Sequence, residues 1–259
     1  MKVAILCGGL GTRIRDVASD MPKPMVRIGG RPILWHVMKS YAAQGHRDFV
    51  LCLGYRGDVI KDYFLNYEAH TSDFTLTLGA PSAIDYHNAH DESGWRITFA
   101  ETGLDTMTGG RVARVAKYLA DDTFMLTYGD GVGDIDLDAL LHFHRAHGRV
   151  MTVTGVRPPG RFGEIEASAD GQVRGFNEKP QTTEGWISGG FFVCERRVFD
   201  YLETAESCIL EREPMNRLVS DGELIMYRHP GFWQCMDTYR DWKLLDGMIG
   251  SGNAPWMRW

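Results

Sequence analysis

Apolar strand-like runs alternate with helix-like periodicity, the first strand empties into a glycine-rich loop, and a later strand ends in Gly-Asp-Gly; together these predict an α/β fold with a Rossmann-like, mostly parallel sheet flanked by helices. Strands are expected at Val3 to Cys7, Phe49 to Gly54, Phe124 to Tyr128 and Val150 to Gly155, with helices near Ile33 to Gln44, Asp58 to Asn66, Gly110 to Leu119 and Leu137 to His147. That order implies right-handed crossovers and places ligands beyond the carboxyl ends of the strands. After Arg157 the spacing shortens. Strands are expected at Gly163 to Ala167, Gln172 to Asn177, Ile187 to Cys194 and Leu224 to Tyr227, with helices near Arg197 to Leu202, Glu213 to Ser220 and Thr238 to Ile249. No repeat, low-complexity tract or linker is visible. Residues 1–259 therefore read as a single domain, 1–155 holding the glycine loop and 156–259 forming a smaller half over one side of the cleft.

With 259 residues, 44% apolar and 24% charged, the chain can bury a sizeable core. Its net charge of -6 argues against a nucleic-acid partner, because phosphate-backbone affinity needs clustered Lys and Arg. Any anionic ligand must then be met by local cations. Cys7, Cys52, Cys194, Cys208 and Cys235 show no C-x-x-C spacing, which indicates neither a disulfide framework nor a zinc knuckle. The sequence shows no basic-then-apolar leader and no apolar run near the ~18 residues of a membrane span, so a cytoplasmic protein without a membrane partner is expected.

The strand Met1 to Leu6 runs into Gly8-Gly9-Leu10-Gly11-Thr12-Arg13, and Lys23 follows in Pro22-Lys23-Pro24-Met25. Glycines after a buried strand let main-chain N–H groups turn toward an anion, and Arg13 and Lys23 add full charges, so the segment reads as a polyphosphate grip. A Walker A loop is excluded by the absence of Lys-Ser or Lys-Thr at the required spacing. The dinucleotide fingerprint fails because Ile14 stands where its third glycine belongs. A plain glycine turn remains open from these residues alone.

Asp130, in Tyr128-Gly129-Asp130-Gly131, suits a carboxylate at a strand end with close backbone approach from a ligand, although Gly-Asp-Gly is also a common turn. Asp237 precedes a helix and taken alone reads as an N-cap. Beside a phosphate grip, the two carboxylates fit an oxygen-ligand site for Mg²⁺, which typically combines one or two carboxylates with substrate phosphates. Glu178 and Lys179 end a strand before Pro180, an arrangement that can hold a phosphorylated sugar or simply form an exposed ion pair before a turn. Gly189 and Gly190 allow close approach to a sugar ring, or mark a strand bulge.

His142, His144 and His147 do not share one helical face, contain no H-E-x-x-H pattern and are expected at a solvated helix end. No G-x-S-x-G elbow or local Cys/His pair supports covalent catalysis.

Taken together, the glycine loop, Pro22-Lys23-Pro24-Met25, Tyr128-Gly129-Asp130-Gly131 and Glu178-Lys179-Pro180 resemble the sugar-phosphate nucleotidyltransferases. The stretches Ile28 to His36, Thr102 to Arg111, Pro158 to Gly163 and Pro230 to Gln234 narrow the likeness to the branch that uses CTP and glucose 1-phosphate, and they extend it over essentially the whole chain. The resemblance implies the nucleotide-diphospho-sugar transferase fold with a smaller sugar-side subdomain, formation of CDP-glucose and pyrophosphate, and supply of deoxysugars for surface polysaccharide. It implies that Leu6, Cys7, Gly8, Gly9, Leu10, Gly11, Thr12 and Arg13 hold nucleotide and phosphates with Lys23. Thr106 and Arg111 would contact nucleotide and Gly129 would line the cleft. Arg13, Lys23 and Asp130 would act in catalysis, Asp130 and Asp237 would ligate Mg²⁺, and Glu178, Lys179, Gly189 and Gly190 would serve the sugar phosphate. It also implies a homo-oligomer, a hexamer in the family. Two positions depart from the family pattern: Ser188 stands where Asn is common and Cys235 where Pro is common. Ser188 bears on hexose identity.

The implied reaction is in-line attack by a sugar-1-phosphate oxygen on the α-phosphorus of a nucleoside triphosphate. With a second pKa near ~6, the attacking phosphate is largely dianionic and needs no general base. Other readings are the same reaction with UTP, dTTP or mannose 1-phosphate, and a non-catalytic nucleotide-sugar sensor.

Overall fold

The structure is a computed structural model that describes residues 1–9, 11, 21–79, 83–88, 90–119, 121–157, 164–167, 172–177 and 185–259, with 164–167 and 173–177 given through their backbone. The first half contains β1 (Lys2–Leu6), β2 (Arg27–Ile28), β3 (Arg31–Pro32), α1 (Ile33–Ala43), β4 (Asp48–Leu53), α2 (Gly57–Leu65), α3 (Tyr67–Thr71), β5 (Phe74–Leu76), β6 (Ile84–Tyr86), β7 (Arg96–Glu101), α4 (Thr108–Arg114), β8 (Thr123–Tyr128), β9 (Gly131–Gly133), α5 (Leu137–His147) and β10 (Met151–Val156). The second contains β11 (Glu164–Ala167), β12 (Val173–Asn177), β13 (Ile187–Glu195), α6 (Glu213–Ser220), β14 (Leu224–His229), β15 (Trp233–Cys235) and α7 (Tyr239–Gly250).

A seven-stranded sheet in the order β14-β10-β13-β8-β1-β4-β7 organises these elements. β1 lies parallel to both β4 and β8, and its sequence Lys-Val-Ala-Ile-Leu suits a strand covered on both faces. Period-two geometry divides it: Val3 and Ile5 enter the core beneath α1, α5 and α7, whereas Ala4 and Leu6 enter the core beneath α4 and α6. From β1 the sheet grows one way through β4 and β7 and the other way through β8, so the loop after β1 lies at the point where strand order reverses. Such points open a crevice at the carboxyl ends of parallel strands.

Helix ends follow local chemistry. Asp136 caps α5 by accepting from the Ala139 N–H at 2.8 Å, and Gly148 closes that helix at φ 63°. Thr238 and Asp241 form a reciprocal capping box at the start of α7, so Thr238 is the N-cap and Asp237 is left free of that duty.

The sheet is mostly parallel, as expected, with β13 running antiparallel to both neighbours, β8 and β10; β14 pairs parallel with β10, so strands from 1–155 and 156–259 share it. Other expectations require correction. β7, the β5–β6 hairpin and the β9–β15 ladder were not anticipated; β7 is a half-exposed edge strand, and the others are only three residues long. The stretch Arg196–Tyr201 winds as a 3₁₀ rather than an α-helix. His142 is exposed, as expected, but His144 is fully buried, with Nδ1 at 2.7 Å from the Thr152 hydroxyl and Nε2 at 3.0 Å from Glu195, so that side chain belongs to a buried polar network instead. Burial depresses the His144 pKa.

Candidate active site

The glycine loop leaves the carboxyl end of β1 and is fixed from below by an arginine. Arg111 in α4 is buried, and its Nη1 donates to the Leu53 carbonyl at 3.0 Å, the Thr102 hydroxyl at 2.8 Å and the Gly103 carbonyl at 2.7 Å. Its Nη2 donates to the carbonyls of Gly8 and Leu104, both at 3.0 Å. The side chain lies across Gly8 and Gly54, where a Cβ would come within 2.2 Å and 2.4 Å of the guanidinium, so both positions need glycine. Burial lowers the Arg111 pKa from its usual value. Thr106 is also buried, and its hydroxyl accepts from Arg114 at 2.8 Å.

Beside this loop is a cavity of about 210 Å³. Its described lining includes Leu6, Cys7, Gly8, Gly9 and Gly11 from the loop, Lys23, Thr106, Arg111 and Asp130. Gly129 sits beneath it, its N–H donating to the Leu6 carbonyl at 3.0 Å, with Pro24 packed alongside. Burial holds the Cys7 thiol well above its usual pKa, in keeping with a wall rather than a nucleophile.

Lys23 opens a short 3₁₀ turn, Lys23–Met25, anchored by buried Pro24 and Met25. Its ammonium lies 2.5 Å from Asp130 Oδ2 and also bonds Asp237 Oδ1. The carboxylates meet although they are distant in sequence. β9 pairs with β15 through Gly131↔Cys235 and Val132↔Gln234, and the Met236 N–H donates to the Asp130 carbonyl at 2.9 Å, so Asp237 emerges beside Asp130. Burial works against the Lys23 charge, but Asp130 and Asp237 outweigh it and raise its pKa above the ordinary lysine value. Cys235 lies within the same field; burial and then the two carboxylates push its thiol up to about 12.

Gly189 and Gly190 fall at an irregularity in β13, next to this cluster but outside the described cavity lining. Tyr128, which does line the cavity, donates its hydroxyl to Glu211, and Glu211 also accepts from Thr108 at 2.5 Å. Glu211 escaped the sequence reading because nothing in its surroundings forms a motif. Leu10, Thr12, Arg13, Glu178 and Lys179 lie outside the described residues. Among the described residues, no group of three or more His, Cys, Asp and Glu side chains could hold a metal by itself.

The profile of the family described as Nucleotidyl transferase matches residues 2–234. The chain is 49% identical over 260 residues to the glucose-1-phosphate cytidylyltransferase of Salmonella typhi, covering all of both chains. It is 44% identical over 259 residues to the probable glucose-1-phosphate cytidylyltransferase of Bacillus subtilis, again covering all of both. The crystal structure of HddC from Yersinia pseudotuberculosis superposes with a TM-score of 0.70 at 21% identity, covering 96% of this chain and 99% of that one, a likeness of fold. A match spanning nearly the whole sequence, on a sheet whose crevice gathers the glycine loop, Lys23, Asp130 and Asp237, places the chain in the nucleotidyl transferase family.

Proposed function

We propose that the chain transfers a cytidylyl group from CTP to α-D-glucose 1-phosphate, forming CDP-glucose and pyrophosphate. The observation that carries the chemistry is the convergence of Lys23, Asp130 and Asp237 at the cavity beside the glycine loop. The choice of CTP and glucose 1-phosphate rests on the full-length relatives that bear that name.

In this reading a phosphate oxygen of glucose 1-phosphate attacks the α-phosphorus of CTP, and the bond from that phosphorus to the bridging oxygen breaks. Pyrophosphate leaves with the electron pair. The dianionic attacking group has no proton to lose, so the protein's task is positioning and charge neutralisation. Glycine-loop amides from Gly8 to Gly11 hold the triphosphate, extended by Leu10, Thr12 and Arg13. Lys23 offsets charge growing on the leaving group. Thr106 and Arg111 shape the nucleotide side and Gly129 supports the floor. Glu178, Lys179, Gly189 and Gly190 receive the sugar phosphate.

Nucleotidyltransferases generally use a divalent metal, and we assign Mg²⁺ to Asp130 and Asp237. Their carboxylates already converge on one cation, the Lys23 ammonium, and a pair of carboxylates suits an ion that completes its shell with phosphate oxygens. Bound there, the ion would lessen repulsion between the two anionic reactants.

The same proposal includes a cytoplasmic location, a place in deoxysugar supply for surface polysaccharide such as lipopolysaccharide O-antigen, and a homo-oligomer, hexameric by family resemblance. Exposed Phe74, Leu76, Leu78 and Ile84 along the β5–β6 hairpin support self-association, because an isolated two-stranded hairpin with bare apolar side chains gains from a partner surface. No helix among the described residues is long and apolar enough to cross a membrane.

The test is pyrophosphate release from CTP, UTP, dTTP and GTP, each paired with glucose 1-phosphate or mannose 1-phosphate. CTP with glucose 1-phosphate should exceed every other pair by about tenfold or more. A faster alternative pair would reassign the substrates, and no release from any pair would make the chain a sensor.

A further inference from the structure

β13 is regular over Phe191–Glu195 and irregular just before it. Its pairing with β8 begins at Phe191↔Thr127, and its pairing with β10 skips from Phe192↔Val153 to Ser188↔Gly155. Gly189 and Gly190 therefore fall outside the paired positions of both neighbours. Gly190 takes φ 75°, where an L side chain is strained, and a Cβ there would lie 2.3 Å from the Tyr128 ring. The bulge is wedged on one side against the residue that ends β8, immediately before Gly129 and Asp130.

On the other side it is held by an indole. Trp233 Nε1–H donates to the Gly189 carbonyl at 2.7 Å. Trp233 opens β15, the strand whose pairing with β9 brings Met236 onto the Asp130 carbonyl and Asp237 onto Lys23. A single side chain thus links the unpaired bulge to the strand that sets the two carboxylates.

We infer that Trp233 is a positioning residue for the sugar phosphate: its indole N–H fixes the Gly189–Gly190 bulge at a set distance from Asp130 and Asp237. This rests on the reading that the glycine pair faces the hexose. Elsewhere the sheet ladder would hold such a backbone. At this position, between the paired stretches of β13, the indole N–H donates to the Gly189 carbonyl.

Trp233→Phe keeps an aromatic ring and removes the donor. At saturating Mg²⁺ it should raise the KM for glucose 1-phosphate about tenfold, as loss of one well-made hydrogen bond predicts, while the KM for CTP stays within about twofold. If Trp233→Phe does not fold, replacement of Trp233 by benzothienylalanine, which exchanges N–H for sulfur at nearly constant shape, should give the same split. An unchanged KM for glucose 1-phosphate in a folded variant overturns the inference, and so does an equal rise in both KM values, which would assign Trp233 a general structural role. The underlying reading is tested separately in the unaltered enzyme by hydrogen–deuterium exchange over residues 187–192. Glucose 1-phosphate added to the Mg²⁺ complex of a non-hydrolysable CTP analogue should slow exchange there. No slowing would remove the glycine pair from the sugar site and the inference with it.

Discussion

Arg111 and Lys23 line the same cavity and carry the same charge, but their surroundings differ in kind. The guanidinium of Arg111 is surrounded by main-chain carbonyls of Gly8, Leu53, Gly103 and Leu104, together with the Thr102 hydroxyl. Lys23 faces two carboxylates, Asp130 and Asp237. A cation bonded to main-chain carbonyls from separate segments ties those segments together, and turning to a ligand would break several of its bonds at once. A cation between carboxylates can exchange partners when phosphates and a metal arrive, because each group then gains a new counter-charge. The contrast separates the rigid floor of the site from its exchangeable charges.

The most severe way to break the contrast is Arg111→Ala. It should cost about 3–5 kcal/mol by removing the hydrogen bonds that tie Gly8, Leu53, Gly103 and Leu104 together and by leaving a cavity against Gly8 and Gly54, and should lower the melting temperature by about 10 °C in thermal unfolding. Arg111→Lys should recover little, because an ammonium cannot reproduce the planar fork. If Arg111→Ala melts as the parent does, the guanidinium is not the floor.

Lys23→Ala should do the reverse: turnover drops by about 10²-fold or more while circular dichroism stays native. A folded variant with near-parental turnover would return Lys23 to a purely structural role. Asp237→Asn keeps the shape and removes one charge, so the Mg²⁺ concentration for half-maximal rate should rise by about tenfold or more. An unaltered Mg²⁺ response would move the ion elsewhere.

The smallest expected effect lies on the pH axis. The folded-state pKa of Lys23 is raised, so its contribution to stability is fully present below the ordinary lysine value of 10.5 and is lost as pH rises through the higher folded value. Thermal stability should therefore fall more steeply above pH 10.5 in the parent than in Lys23→Met. Parallel curves would show that the carboxylates do not stabilise the charged form.

Much of this arrangement was legible in the sequence. The apolar run ending in Gly8-Gly9 located β1 and its loop, the pattern over Glu213–Ser220 matched α6, and Gly-Asp-Gly located the turn that carries Asp130. These signals are local: periodicity and turn chemistry reside in neighbouring residues. What remained hidden depends on tertiary pairing. Trp233–Cys235 and Gly131–Gly133 are too short to show alternation, so their ladder, which delivers Asp237 to Asp130, could not be read. The bracing role of Arg111 could not be read beside its expected nucleotide contact, because its carbonyl partners come from segments far apart in the chain. His144 carried a polar label into a buried site because Thr152 and Glu195 reach it only across the packed sheet.

The most direct test of the account is pyrophosphate formation from CTP and glucose 1-phosphate with Mg²⁺, measured side by side for the parent, Lys23→Ala and Asp130→Asn. The account predicts robust release by the parent and at least about a 10²-fold loss in each folded variant. Release near the parental rate from either variant would contradict it.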